Sequence, residues 1–277
     1  MTERQSKALE TCCYVVGAGA FGVFARWMQL MLAYNEEGVV DPSFWNFIVP
    51  GLLIVAALVF NHFIIKMKKK LLYMPEGFCR ALHNEGKLFT VCRWVFGGIM
   101  LAGAALLFLE SETDKYSGFQ YALAACGALT AFAFPFMLTA ANRPNAYNKN
   151  LCAFLAFMPI LLFCVWIIVL YRENSINPVL WAFIVQIIAI ILNIIAFFRV
   201  AGFAFGAPNE WRSILFCELG AVASLMTLPD DIYLGQKVMF AAAALMQILL
   251  IWIMLVNLKQ GKRAPTEEEN HGFERLR

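Results

Sequence analysis

Long apolar runs, each ended by a short polar stretch, divide this chain of 277 residues into blocks. Eight are read, at roughly 10–33, 44–65, 88–109, 118–140, 151–171, 178–198, 212–228 and 236–257. Most hold about 20 residues with almost no charge, the length a helix needs to cross the hydrocarbon layer. The seventh, ending near Pro229, is the shortest. The pattern predicts an all-α integral membrane protein of about eight transmembrane helices. Residues 1–258 would form one polytopic domain, and 259–277 a mobile cytoplasmic tail too short to fold alone. The first block starts close to charge, carries Arg26 and is too long for a secretory signal, so a retained signal-anchor helix is expected.

Composition agrees. Hydrophobic residues make up 61% of the chain and charged residues 15%, against about 45–50% and about 25% in soluble domains. Charge then orients the blocks. Eighteen of the 22 Lys and Arg fall in tails and loops on one side, among them Arg4, Lys7, Lys66, Lys68, Lys69, Lys70, Arg93, Arg143 and Lys259. The other side holds Lys115, Arg172 and Lys237 and is acidic, with Glu36, Glu37, Asp41, Glu110, Glu112, Asp114, Glu173, Asp230 and Asp231. Short cytoplasmic loops collect Lys and Arg, so both termini are expected in the cytoplasm of a cell-membrane protein. Lys66, Lys68, Lys69 and Lys70 would meet anionic lipid head groups rather than nucleic acid. The loop 66–87 is the longest on that side; it is read as a possible docking site for a protein partner and as room for a short helix on the membrane surface.

Two stretches half a chain apart resemble one another. Leu32-Ala33-Tyr34 and Asp41-Pro42-Ser43-Phe44-Trp45 correspond to Val169-Leu170-Tyr171 and Asn177-Pro178-Val179-Leu180-Trp181, at an offset of 136 to 137 residues. A parallel four-plus-four repeat of 8–142 and 146–258 is one reading, and such repeats build some transporter folds. Recurrent Pro and Trp at outer membrane boundaries is the other. Small residues mark the first, third, fourth, seventh and eighth blocks as close-packed. The second, fifth and sixth, rich in Leu, Ile, Phe and Trp, are expected to face lipid.

Candidate chemistry is sparse. Two charges lie within blocks, Arg26 in the first and Glu218 in the seventh, and charges there usually face protein or water and find partners. Counting rise per residue brings them to similar depths. A polar interior layer of Arg26, Gln29, Gln186, Asn193, Glu218 and Gln247 follows as a hypothetical substrate-binding site, with Arg26 and Glu218 paired. The competing reading has Arg26 snorkelling to head groups and Glu218 paired with Arg212. No catalytic serine motif, P-loop or metal-ligand spacing occurs. Gly17-Ala18-Gly19-Ala20-Phe21-Gly22 has GxGxxG spacing but sits in a membrane block without a preceding strand. No enzyme activity, cofactor or metal is therefore expected. The eight cysteines avoid the outer loops and are expected to be free thiols. A small-molecule transporter or carrier is the first functional expectation. The alternative is a non-transporting sensor, scaffold or accessory subunit of a membrane complex.

Overall fold

The computed structural model describes residues 3–32, 45–69, 72–73, 77–113, 117–143, 148–174, 180–206 and 209–260. The helices are α1 Glu3–Leu32, α2 Trp45–Lys68, the short α3 Phe78–Ala81, α4 Lys87–Glu110, α5 Ser117–Ala141, α6 Lys149–Asn174, α7 Leu180–Phe205, α8 Glu210–Met226 and α9 Leu234–Asn257. Seven of them are long and apolar enough to cross a membrane: α1, α2, α4, α5, α6, α7 and α9. All eight predicted blocks fall on helices, and the seventh is the 17-residue α8. The protein is an α-helical, multi-pass membrane-type bundle.

Helix ends follow local chemistry. Asn209 caps α8, its side chain accepting from the Arg212 N–H, which satisfies one of the donors a helix start leaves open. Thr227 closes α8 with its hydroxyl on the Ser224 carbonyl at 2.8 Å. Pro229 then disfavours further helix. The helix stops two residues before the end assigned from the sequence.

The helices α4 to α9 pack in chain order, and α9 closes the set by packing back on α4. Helix α1 lies on α8 and α9, and α2 touches the bundle through α1 and α8. The α4–α9 contact is backbone against backbone. A Cβ at Gly235 would lie 2.3 Å from the Leu107 nitrogen, and one at Gly103 would lie 2.9 Å from the Met239 nitrogen. A similar approach joins α4 to α5. Pro135 leaves the Ala131 carbonyl without its helical donor, and Gly97 packs so close that a Cβ would sit 2.5 Å from that oxygen.

Aromatic side chains fill the centre. Trp166 and Phe163 of α6 stack at 5.6 Å, Phe240 of α9 lies 4.1 Å from Trp166, and Phe197 of α7 reaches Phe163 at 6.0 Å. Helices α6 and α7 bury at least half of their spanning windows, more than α1 or α4. This corrects the expectation that the fifth and sixth blocks face lipid. A large side chain is as much a core filler as a lipid-facing one, whereas glycines mark only the stripe they occupy. Helix α2 is the least buried span, as expected.

The two ends of the bundle differ. At one end Gln120 donates to Glu173 and accepts from Gln236, and the Gly235 N–H donates to Glu110. At the other, Asn257 donates to the Ala81 and His83 carbonyls, and Leu72–Tyr73 pair antiparallel with Lys259–Gln260. The loop after α2 and the chain after α9 thus leave from one end. Phe78, Ala81 and Leu82 are buried, with α3 packed against α5, α7 and α9. The loop helix therefore caps the bundle rather than lying on the membrane surface. All eight cysteines are free.

Gly235→Ala should destabilise the protein by about 1–3 kcal/mol, because a methyl group has nowhere to go between α9 and α4. Gly98→Ala, where a Cβ would meet nothing within 4 Å, should be neutral or raise stability by up to ~1 kcal/mol. Unfolding of the two variants in one detergent checks the opposite signs.

Candidate functional site

Helices α1 and α8 run side by side in one direction. A Cβ at Gly19 would lie 2.3 Å from Leu225 Cδ1, and one at Gly22 would lie 2.4 Å from Met226 Cγ. One more heptad down, the Cys12 thiol lies near the Glu218 carboxyl. Residue n of α1 therefore faces roughly residue n + 206 of α8. By that register Arg26 stands beyond the last turn of α8, opposite the connection to α9.

Arg26 accordingly meets Asp230, not Glu218. Its Nε donates to Asp230 Oδ1 at 2.6 Å and its Nη1 to Gln29 Oε1 at 2.7 Å. Both members of the ion pair are buried, at 0% and 2% exposure. The sequence reading put Asp230 among the exposed outer acids and levelled the outer ends of the two helices, whereas α1 runs on past the end of α8 and leaves Glu218 well below Arg26. Snorkelling is likewise not what Arg26 does. Asp230 lies outside the helices. Burial pushes its carboxyl above the ordinary range, while Arg26 and the neighbouring Gln186 amide pull it down. Oδ2 has no well-formed hydrogen bond among the described residues. A carboxyl whose folded pKa is raised contributes a cost to folding once ionised, a cost absent below its unfolded pKa. For this carboxyl the cost of leaving water thus outweighs the attraction it gains.

A second polar group lies where α7, α8 and α9 meet. Asn193 Nδ2 donates to the Ala189 carbonyl and to Ser224 Oγ, each at 2.7 Å, and Gln247 Nε2 donates to Asn193 Oδ1 at 2.8 Å. Gln247 lies flat over Gly220, where a Cβ would come within 2.7 Å of its Oε1. That oxygen is buried without a donor among the described residues. Ser224 was missed in the sequence, although it shares with Gly220 the small-residue stripe that admits Gln247.

Glu218 stands apart. It is 1% exposed and makes no ion pair among the described residues, and its Oε2 has no hydrogen-bond partner there. Two residues from Gly220, it points to the opposite side of α8, toward α1. Arg212, the alternative partner, lies near the α8 cap and forms no ion pair with it. All six predicted residues are buried in protein, but they form three sites rather than one: Arg26, Gln29 and Gln186 around Asp230; Asn193 and Gln247 around Ser224; and Glu218. Lys66, Lys68 and Lys69 lie at the end of α2 on the basic end of the bundle; Lys70 and the tail 261–277 fall outside the described residues.

No family model, curated protein or solved structure matches this chain.

Asp230→Asn or Arg26→Met should each cost about 3–5 kcal/mol of stability by leaving a buried polar group unpaired. The double variant Arg26→Met/Asp230→Leu should recover most of that loss at pH 7. A double-mutant unfolding cycle measures it, and additive losses would show that the two residues act separately.

Proposed function

We propose that this protein is a membrane carrier for a small solute, with Glu218 as its central titratable group. The observation that supports this reading is the burial of that carboxyl with no ion pair among the described residues. As a lone charge it would cost several kcal/mol, so it is kept neutral or met by a cation. Its polar neighbours on the other face of α8 are mostly satisfied by one another. Intramembrane acids placed in this way are a feature of proton relays and transport pathways.

The carrier crosses the cell membrane eight times, with both termini in the cytoplasm. Helix α8, at about 25 Å, is near the short limit for a span. Its contacts support a crossing all the same: Ser213 near its start bonds the Arg199 carbonyl late in α7, and Ser224 near its end meets Asn193 higher in α7. The chain thus returns along α7 before α9 begins. The Lys and Arg excess supports the orientation, as does the pairing of residues 72–73 with 259–260. The four-plus-four relation rests on sequence alone. Most of its matching loops, 33–44 and 175–179, lie outside the described residues, and α7 packs along α8 without comparable packing of α2 on α4.

An accessory-subunit reading draws on one feature, an apolar groove of about 710 Å³ between α1 and α2 that includes Gly17, Phe21, Gly51 and Val55.

In a cysteine-free background, Lys69→Cys and Lys259→Cys should resist a membrane-impermeant maleimide in intact cells while Glu112→Cys is labelled. Labelling of the lysine sites alone would reverse the orientation, and labelling of all three would refute a topology that puts them on opposite sides. Profiling of small solutes in cells expressing wild type or Glu218→Gln, at equal membrane abundance, tests transport. Wild type should shift the pool of one solute class and the variant should not. Identical pools, together with a stoichiometric partner in the purified protein, would favour the accessory subunit.

A further inference from the structure

Arg93, in the second turn of α4, is a buried cation without a counter-charge among the described residues. It is 6% exposed. Its side chain runs back toward the start of its helix, where Nη1 donates to Asn84 Oδ1 at 3.1 Å and Nη2 to Thr90 Oγ1 at 3.4 Å. Both acceptors are neutral, and Nε is buried with no partner. The one charge felt at Arg93 among the described residues is another cation, Arg143, which is exposed just past the end of α5.

The surroundings are tied together by hydrogen bonds between neutral groups. Asn84 donates to the Leu82 and Leu138 carbonyls at 2.7 and 3.1 Å. Its backbone N–H donates to Asn142 Oδ1 at 2.8 Å, and Asn142 Nδ2 donates back to Asn84 Oδ1 at 3.1 Å. This clasp ties the α3–α4 connection to the end of α5 and holds the Asn84 amide oxygen on Arg93. Gly86, the N-cap of α4, offers no side chain to the first N–H groups of that helix, which leaves a partial positive charge beside the two guanidinium groups.

A buried charge is stable only when paired. Arg93 lies about 9 Å along α4 from Lys87, and its head reaches back to the level of Asn84 at the basic end of the bundle. Phospholipid phosphates lie at that depth, and a guanidinium binds phosphate in bidentate fashion. We propose that this clasp binds the phosphate of an anionic phospholipid, with Arg93 and Arg143 as its cationic contacts. The site is separate from the α2 lysines and does not depend on the carrier reading.

The test uses the full chain, delipidated in neutral detergent. Phosphatidylglycerol should raise its unfolding temperature by about 3 °C or more over phosphatidylcholine. Inorganic phosphate at equal concentration should leave it unchanged. Arg143→Gln, an exposed change that should fold normally, should remove at least half of the increment (about half or more). A Lys66→Gln/Lys68→Gln/Lys69→Gln variant should retain it. Equal protection by phosphatidylcholine or by inorganic phosphate would overturn the lipid assignment, as would an undiminished increment in Arg143→Gln. Loss of basal stability in Glu76→Gln matching that of Arg93→Gln would reveal an internal counter-charge and also overturn it.

Discussion

The register of α1 on α8 decides the chemistry of this bundle. Gly19 and Gly22 let Leu225 and Met226 sit directly against the α1 backbone, and contacts that close do not slide without collision. With that register fixed, Glu218 faces the Cys12 level and Arg26 overshoots the end of α8. A shift of one turn, about 5.4 Å, would bring the two charges toward each other. The glycines forbid it. An arginine and a glutamate that neutralise one another on paper are therefore held apart, and Asp230 is recruited from the connecting turn.

Separation of charges has energetic consequences, because an apolar surround offers buried polar groups nothing but other parts of the protein. Most find such partners. Asn193 uses both ends of its amide, Gln120 bridges α6 and α9, and Asn257 ties α9 to the α3 cap. The exceptions are informative. Among the described residues Glu218 Oε2 lacks a donor and Arg93 lacks an anion, at different depths and on different helices. A scaffold built for stability alone gains nothing from either, since an apolar residue of similar volume would serve as well. On the two proposals made above, both are positions completed from outside the fold, one by a proton or cation and the other by a phosphate.

The sequence carries the helices well, because block length and the absence of charge are one-dimensional properties. Seven of eight predicted blocks became long apolar helices, and α8 fell short only because Thr227 and Pro229 stop it early. Three-dimensional properties were less legible. Burial of α6 and α7 depends on how Phe163, Trp166, Phe197 and Phe240 mesh, and composition does not encode that. The six polar residues are buried in protein, where a polar side chain escapes its cost in lipid. One common layer is not observed, because the sequence reading levels the ends of α1 and α8, whereas α1 runs on past the end of α8. Asp230 looked like a surface acid in a polar turn, and only the α1 register shows that Arg26 covers it.

On the carrier reading, access to Glu218 is constrained by what surrounds α8. One face is closed by Asn193, Ser224 and Gln247, and the α4–α9 contact behind it is backbone on backbone. Moving those helices would disrupt several buried hydrogen bonds at once. The other face is covered by α1, and α2 beyond it is the least buried span. A route that spares the closed set of helices must therefore displace α1, carrying Gly19 and Gly22 off Leu225 and Met226. Arg26 and Asp230 join α1 to the turn after α8, so that displacement must either break the ion pair or take the turn along. Breaking it exposes two buried charges and is expensive; moving the turn with α1 is cheaper and would hinge where Pro229 already interrupts the helix.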